Sequence, residues 1–165
     1  MQEGAAQIGR GGGPSSVATG VAVLDHLLGK LASTGGFEIR LEVAPDEPEA
    51  EVDTAGATLG KAFRPLLERE GAARRGLGVT PAEEALAMVV LEVSERSLVV
   101  SNADLTSTQA GGLRTDLAAA FLNGFAEAAG LTIHVRLIEG QDSQHVLEAI
   151  FKALGVALAR ACADA

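Results

Sequence analysis

Cysteine occurs once in this chain, at Cys162, so neither an internal disulfide nor a cysteine-based zinc site can be built from it. Tryptophan and tyrosine are absent, and there are only five phenylalanines. Modules that bind single-stranded nucleic acid stack bases on aromatic platforms, and this chain has little to offer them. Positive charge is scarce as well: 13 Lys and Arg stand against 22 Asp and Glu, a net charge of −9. Phosphate backbones attract basic faces, so this balance also points away from nucleic acid. No apolar run is long enough to span a bilayer, and no signal-peptide pattern opens the chain. A cytoplasmic soluble protein is the expectation.

What is present is apolar material in periodic order. The hydrophobic fraction of 47% over 165 residues excludes general disorder and suits one domain with a real core. Residues 1–18 are the exception, a Gly/Ser-rich stretch expected to form a flexible lead to a single domain over 19–165. Its Gly-Arg-Gly-Gly-Gly run lacks the Lys-Ser/Thr ending of a phosphate-binding loop. From Thr19, a candidate cap, Leu24, Leu27, Leu28 and Leu31 form a helical stripe ended by Gly35-Gly36. His26 lies about 200° around that helix from Leu24, away from the stripe and beside Lys30. It is either a solvent-facing side chain or a ligand directed at a neighbouring subunit.

Phe37 to Val43 alternates apolar and charged residues as a half-buried strand does. An acidic, proline-bearing loop follows, then a helix expected from about Val52 to Glu70. The stretch 69–76 reads as a basic turn whose Arg69, Arg74 and Arg75 are solvated charges that could meet an anion. Two strands are expected on either side of a turn at residues 94–96. A polar loop at 102–112 and an alanine-rich helix over 113–129, stopped by Gly130, come next. The last unit is a strand from Leu131, a polar loop, and a helix with Val146, Leu147, Ile150, Phe151 and Leu154 on one face. His145 and Glu148 are three apart near its start, so they can share a face. An imidazole and a carboxylate so placed suit a divalent metal, and equally make an ordinary surface pair.

The chain repeats itself. The helix ending at Gly36 and its strand match the helix ending at Gly130 and its strand at an offset of 94 residues. The helices after those strands match at 95, with Thr58–Phe63 lying against Ala153–Leu158. Such a repeat predicts a duplicated α/β domain with pseudo-twofold symmetry, its halves at about 19–80 and 81–165. It also exposes an asymmetry: His26 matches Ala120, Ala50 matches His145, Asp53 matches Glu148, and Glu49 matches Gln144. Glu49 and Asp53, four apart, could offer oxygen donors to a hard cation such as Mg or Mn, or form a plain acidic first turn favoured by the helix dipole.

Taken in order, "TGVAVLDHLL", "GGFEIRLEV", "PAEEALA", "AAGLTIHVRLIEG" and "SQHVLEAIFKALGVAL" resemble the imidazoleglycerol-phosphate dehydratases, over roughly Thr19 to Ala161. The resemblance implies an α+β fold like domain 2 of ribosomal protein S5, with helices sandwiched between two mixed sheets. It implies a hydro-lyase of histidine biosynthesis that converts imidazole glycerol phosphate to imidazole acetol phosphate. It further implies two manganese ions held between subunits, and trimers that assemble into a larger shell. Carried onto this chain, the metal ligands are His26, His145 and Glu148, with Glu148 also the catalytic carboxylate. Glu49 and Asp53 are oxygen donors in place of a histidine and a glutamate. Ala50, Ala120 and Gln144 replace ligand histidines, and Thr54 replaces an aspartate. Arg74, Arg96 and Lys152 stand at the family's cationic phosphate contacts. The family's opening strand has no visible counterpart before Thr19, and its Ser-x-Lys phosphate loop would lie past Ala165. Three expectations follow: weak or absent standard activity, a working lyase with a remodelled single-metal site, or a phosphate-ligand-binding or structural oligomeric relative.

Overall fold

The computed structural model of the protein describes residues 3–103, 109–110 and 113–165. Along the chain come β1 (Gly4–Arg10), β2 (Ser16–Ala18), α1 (Ala22–Gly35), β3 (Phe37–Val43) and α2 (Pro48–Glu68). Then follow β4 (Arg75–Ala82), β5 (Ala85–Val93), β6 (Leu98–Ser101) and the two-residue strands β7 (Gln109–Ala110) and β8 (Leu113–Arg114). The chain closes with α3 (Thr115–Ala129), β9 (Leu131–Glu139) and α4 (Ser143–Cys162). Part of the polar loop expected at 102–112 lies outside the described residues.

One sheet has the order β1-β3-β2 and the other β4-β5-β9-β6. In each, a central strand is flanked by an antiparallel and a parallel neighbour. Arg40 of β3 lies between Gln7 and Ser16, and His134 of β9 lies between Val90 and Val100. Arg40 and His134 are separated by the offset of the sequence repeat, so the duplication is real in three dimensions. The helices lie between the sheets: α1 and α2 touch the first, α3 and α4 touch the second, and α1 packs on α4 as α2 packs on α3. Both α1 and α3 stop at a left-handed glycine, Gly36 at φ 69° and Gly130 at φ 74°.

The core fills the space between the layers. Leu24, Leu27, Leu28 and Leu31 are fully buried, as their spacing predicts. All five phenylalanines are buried and form one chain of contacts, Phe37–Phe63–Phe125–Phe121–Phe151, with centroid separations of 5.0, 5.8, 5.9 and 5.7 Å. Each such pair contributes about 0.5–1.5 kcal/mol beyond its buried area. No aromatic ring is left for the surface.

Three expectations need correction. The lead is not flexible: residues 4–10 form β1, paired along its whole length with β3. A backbone ladder needs no side-chain signal, and glycine suits Gly4, where a Cβ would stand 2.4 Å from Thr58 Oγ1. A strand therefore does precede Thr19, at the edge of the sheet. Thr19 does not cap α1. Val21 occupies the cap position, while the Thr19 hydroxyl donates to Asp25 Oδ1 at 2.6 Å. Finally, residues 75–82 are a strand. Thr80 donates its hydroxyl to Ala149 O at 2.8 Å, and Arg74 donates its N–H to Ala161 O at 2.9 Å. Between them, a Cβ at Gly78 or Gly76 would collide with the carbonyl of Ala153 or Ala157. The glycines that hide β4 from a periodicity reading are what let it lie against α4. Among the described residues, no helix is long and apolar enough to cross a membrane.

Candidate functional site

The site begins with the way α4 starts. Asp142 caps it, its Oδ1 accepting the N–H groups of Gln144 and His145 at 2.9 and 3.1 Å. This fixes His145 in the first turn and Glu148 one turn further on. Facing them is the tip of the β4–β5 hairpin. There the Glu84 carboxylate accepts the N–H groups of Gln141 and Asp142 at 3.1 and 2.9 Å, and its Oε1 lies 2.6 Å from His145 Nδ1. The Asp142 N–H, then the Gln141 N–H and the imidazole, hold Glu84 down to about 2. The same hydrogen bond raises His145 above its usual value, against a smaller opposing effect of burial.

The second pair crosses two helices. His26 on α1 places Nε2 3.5 Å from Glu148 Oε1 on α4. The imidazole side chain is 48% exposed and the carboxylate 18%. Close helix packing brings them together. A Cβ at Gly155 would stand 2.2 Å from Leu31 O, and Thr34 donates its hydroxyl to Lys152 O at 2.8 Å. His26 therefore faces outward, as its helical position predicts, and across the helix seam meets the carboxylate.

The other half repeats the packing without the imidazole. A Cβ at Gly60 of α2 would stand 2.7 Å from Phe125 O and 2.7 Å from the Ala128 methyl of α3. Yet the positions matching His26 and Glu148 hold Ala120 and Asp53. These two line an open groove of ≈ 1140 Å³ with Lys61, Arg64 and Glu68. Glu49 is exposed one turn before Asp53, inside a helix that starts earlier than expected, at Pro48. Among the described residues, no three His, Cys, Asp or Glu side chains gather closely enough to hold a metal. The chain by itself presents pairs, His26–Glu148 and His145–Glu84.

The three cations separate into two places. Arg74 sits just before β4 at φ 67°, its Nη2 donating to Glu68 O at 3.2 Å. Arg96 lies in the turn after β5, at the same end of the sheet, its carbonyl accepting from Thr132 Oγ1 at 2.8 Å. Lys152 is on α4 one turn from Glu148, and its Nζ donates to Pro81 O at 2.6 Å. Arg74 and Pro81 are at opposite ends of β4, on the order of 20 Å apart at a strand's rise. One chain thus offers an arginine pair and a separate lysine. Arg69, read as a solvated charge, is a structural tie that donates to Cys162 O at 2.9 Å and to Asp164 at 2.7 Å.

Sequence reading missed Glu84. It sits inside "PAEEALA", one of the matching segments, but only the tertiary approach of the hairpin to α4 reveals its role.

Fold and site together define a duplicated α/β sandwich with one imidazole–carboxylate pair across the α1–α4 seam and another between α4 and the β4–β5 hairpin. The family model for imidazoleglycerol-phosphate dehydratase matches residues 19–158. An imidazoleglycerol-phosphate dehydratase of Methanocella arvoryzae is 38% identical over 93% of this chain and 81% of its own length. One of Clostridium botulinum is 35% identical over 92% and 79%. In structure, the Pyrococcus furiosus enzyme matches 99% of this chain and 90% of its own with a TM-score of 0.88 at 28% identity. The Staphylococcus aureus enzyme gives the same score and identity over 100% and 99%. The chain belongs to the imidazoleglycerol-phosphate dehydratase family, of histidine biosynthesis.

Proposed function

We propose that this protein is a divergent member of its family that carries out the standard dehydration of imidazole glycerol phosphate weakly or not at all. The supporting observation is the contrast between its two helix seams. One carries His26 opposite Glu148, and the other carries Ala120 opposite Asp53, with a glycine at a close helix approach in both. The two-manganese centre that the family resemblance implies is held by histidines together with carboxylates. Methyl groups at Ala50 and Ala120 donate nothing, and Gln144 is a poor substitute for an imidazole. The residues present do not fit that centre.

The test is turnover of imidazole glycerol phosphate with added Mn²⁺, beside an ordinary member of the family. Losing about 4 kcal/mol of transition-state stabilisation reduces the rate about a thousandfold, and at least that deficit is expected. Turnover within about tenfold of the ordinary enzyme, a difference near 1.4 kcal/mol, would overturn the reading.

A second reading, a lyase with a single remodelled metal site, has one observation in its favour. His145 is held through Nδ1, which is how protein metal sites present a histidine whose Nε2 binds the ion. In that reading His26, His145 and Glu148 are the donors, with Glu49 or Asp53 arriving from a neighbouring subunit. Lys152 and the Arg74–Arg96 pair are then cations for the phosphate of a small ligand, again contributed by different subunits. Such a phosphate site also serves the third reading, a relative that binds ligand without turnover.

Self-association is part of the proposal, and the outer sheet faces support it. The first sheet presents Gln7, Ser16, Glu38, Arg40 and Glu42, whereas the second exposes Leu77, Val79, Val90, Leu98 and Val100. That second face is mixed, since Arg75, Glu92, His134 and Arg136 are exposed among these apolar side chains, and their clustering supports a protein-contact surface. A trimer of about 50 kDa is expected by light scattering, from 16.8 kDa per chain. A stable particle near 400 kDa without metal would contradict it. The cytoplasm is the proposed location.

A further inference from the structure

We infer that Glu84 is the positioning residue of His145: it fixes the tautomer and orientation of the ring and leaves Nε2 as the working nitrogen. This rests on reading His145 as a functional imidazole.

The carboxylate is immobilised before it meets the ring. Its Oε2 accepts two backbone N–H groups, from Gln141 and Asp142, while Oε1 faces Nδ1 at 2.6 Å. An acceptor tied at two points cannot follow a rotating imidazole, so the imidazole must align with it. The same short loop fixes the other end of the histidine, since Asp142 Oδ1 accepts the His145 N–H. Ring and backbone are thus both referred to residues 141–142.

The hairpin delivers Glu84 to this place. Ala82 pairs with Ala85, leaving a two-residue turn. Glu83 takes φ 53°, a conformation that L side chains rarely adopt. Facing an ionised carboxylate, Nδ1 carries the hydrogen, so the lone pair of the neutral ring is on Nε2. Nε2 has no protein partner among the described residues. His26 differs: it meets Glu148 only through Nε2, at 3.5 Å.

The test is ¹⁵N NMR of histidine-labelled protein at alkaline pH, where the ring is neutral, with Glu84→Gln and Glu84→Ala alongside. His145 is expected as the Nδ1–H tautomer in the natural protein. Glu84→Gln has one acceptor oxygen where two are used; with that oxygen on the Gln141 and Asp142 N–H groups its NH2 faces Nδ1, and the Nδ1–H signature is expected to be lost. Glu84→Ala is expected to release the ring to the mixture of a free imidazole, with an unchanged fold by circular dichroism. Titration with Mn²⁺ supplies a second readout, a weakening of about 10–100-fold in Glu84→Ala. An Nε2–H ring in the natural protein, or a tautomer unmoved by Glu84→Ala, would overturn the inference. Failure of the natural protein to take up Mn²⁺ would instead count against His145 as a ligand, with the tautomer result still deciding the role of Glu84.

Discussion

The two helix seams are built alike and equipped differently. α1 meets α4 at Gly155, as α2 meets α3 at Gly60, with the opposing carbonyls of Leu31 and Phe125 at matched positions. Both halves therefore keep the residues that permit close approach. The side chains on the rims, His26 and Glu148 on one and Ala120 and Asp53 on the other, lie outside the buried core. Fold and site are separable here because packing depends on buried glycines and leucines, while donors stand at partly or fully exposed positions that the core does not need. A duplicated scaffold can carry an imidazole on one seam and none at the matching place on the other.

The largest effects should come from breaking the packing that the seams share. Gly155→Ala would place a methyl 2.2 Å from Leu31 O, and Gly60→Ala one 2.7 Å from Phe125 O. Backbone on both sides must move, so each should cost about 1–3 kcal/mol, with Gly155→Ala the worse, read from urea midpoints. A neutral Gly60→Ala would mean that the α2–α3 seam is not close-packed. Next comes an attempt to equip the poorer seam. Ala120→His with Asp53→Glu should tighten Mn²⁺ binding by about tenfold, near 1.4 kcal/mol, by calorimetry. No change would show that missing donors are not what distinguishes the halves.

A smaller effect concerns pH. Glu84 titrates at about 2 when folded, against an ordinary 4.5. Its folded-state value is depressed, so its contribution is complete above 4.5 and disappears as pH falls toward about 2. His145 has the opposite sign: its value is raised, so its contribution is present below 6.5 and is lost as pH rises through the folded value. Urea midpoints measured from acid to alkaline pH should fall at both ends, and Glu84→Gln should flatten both slopes. The smallest effect is expected from His26→Ala. Its partly exposed pairing with Glu148 should contribute no more than about 1 kcal/mol to stability, by thermal melts.

Much of this could be read from residues alone, for physical reasons. The leucines of α1 and the alternation of β3 are local periodicities set by burial, and the 94-residue offset reports a duplication that the sheets reproduce. β4 escaped because Gly76 and Gly78 serve a helix eighty residues away rather than a local pattern. β1 escaped because its order comes from a ladder to β3, not from its own side chains. β5 and β6 flank a short turn yet do not pair, since β9 comes between them. In the candidate site, sequence spacing placed His145 and Glu148 near the start of one helix, where α4 carries them. It could not find that His26 faces Glu148, that Glu84 faces His145, or that Lys152 stands far from Arg74 and Arg96. Those are relations between elements, and only the packing sets them.

How much metal one chain can hold is decided by manganese bound per chain after saturation and desalting. At most one ion per chain is expected, lost on His145→Ala. Two ions per chain, with one or both surviving that substitution, would mean that the seam carrying Ala120 and Asp53 has a complete ligand set after all.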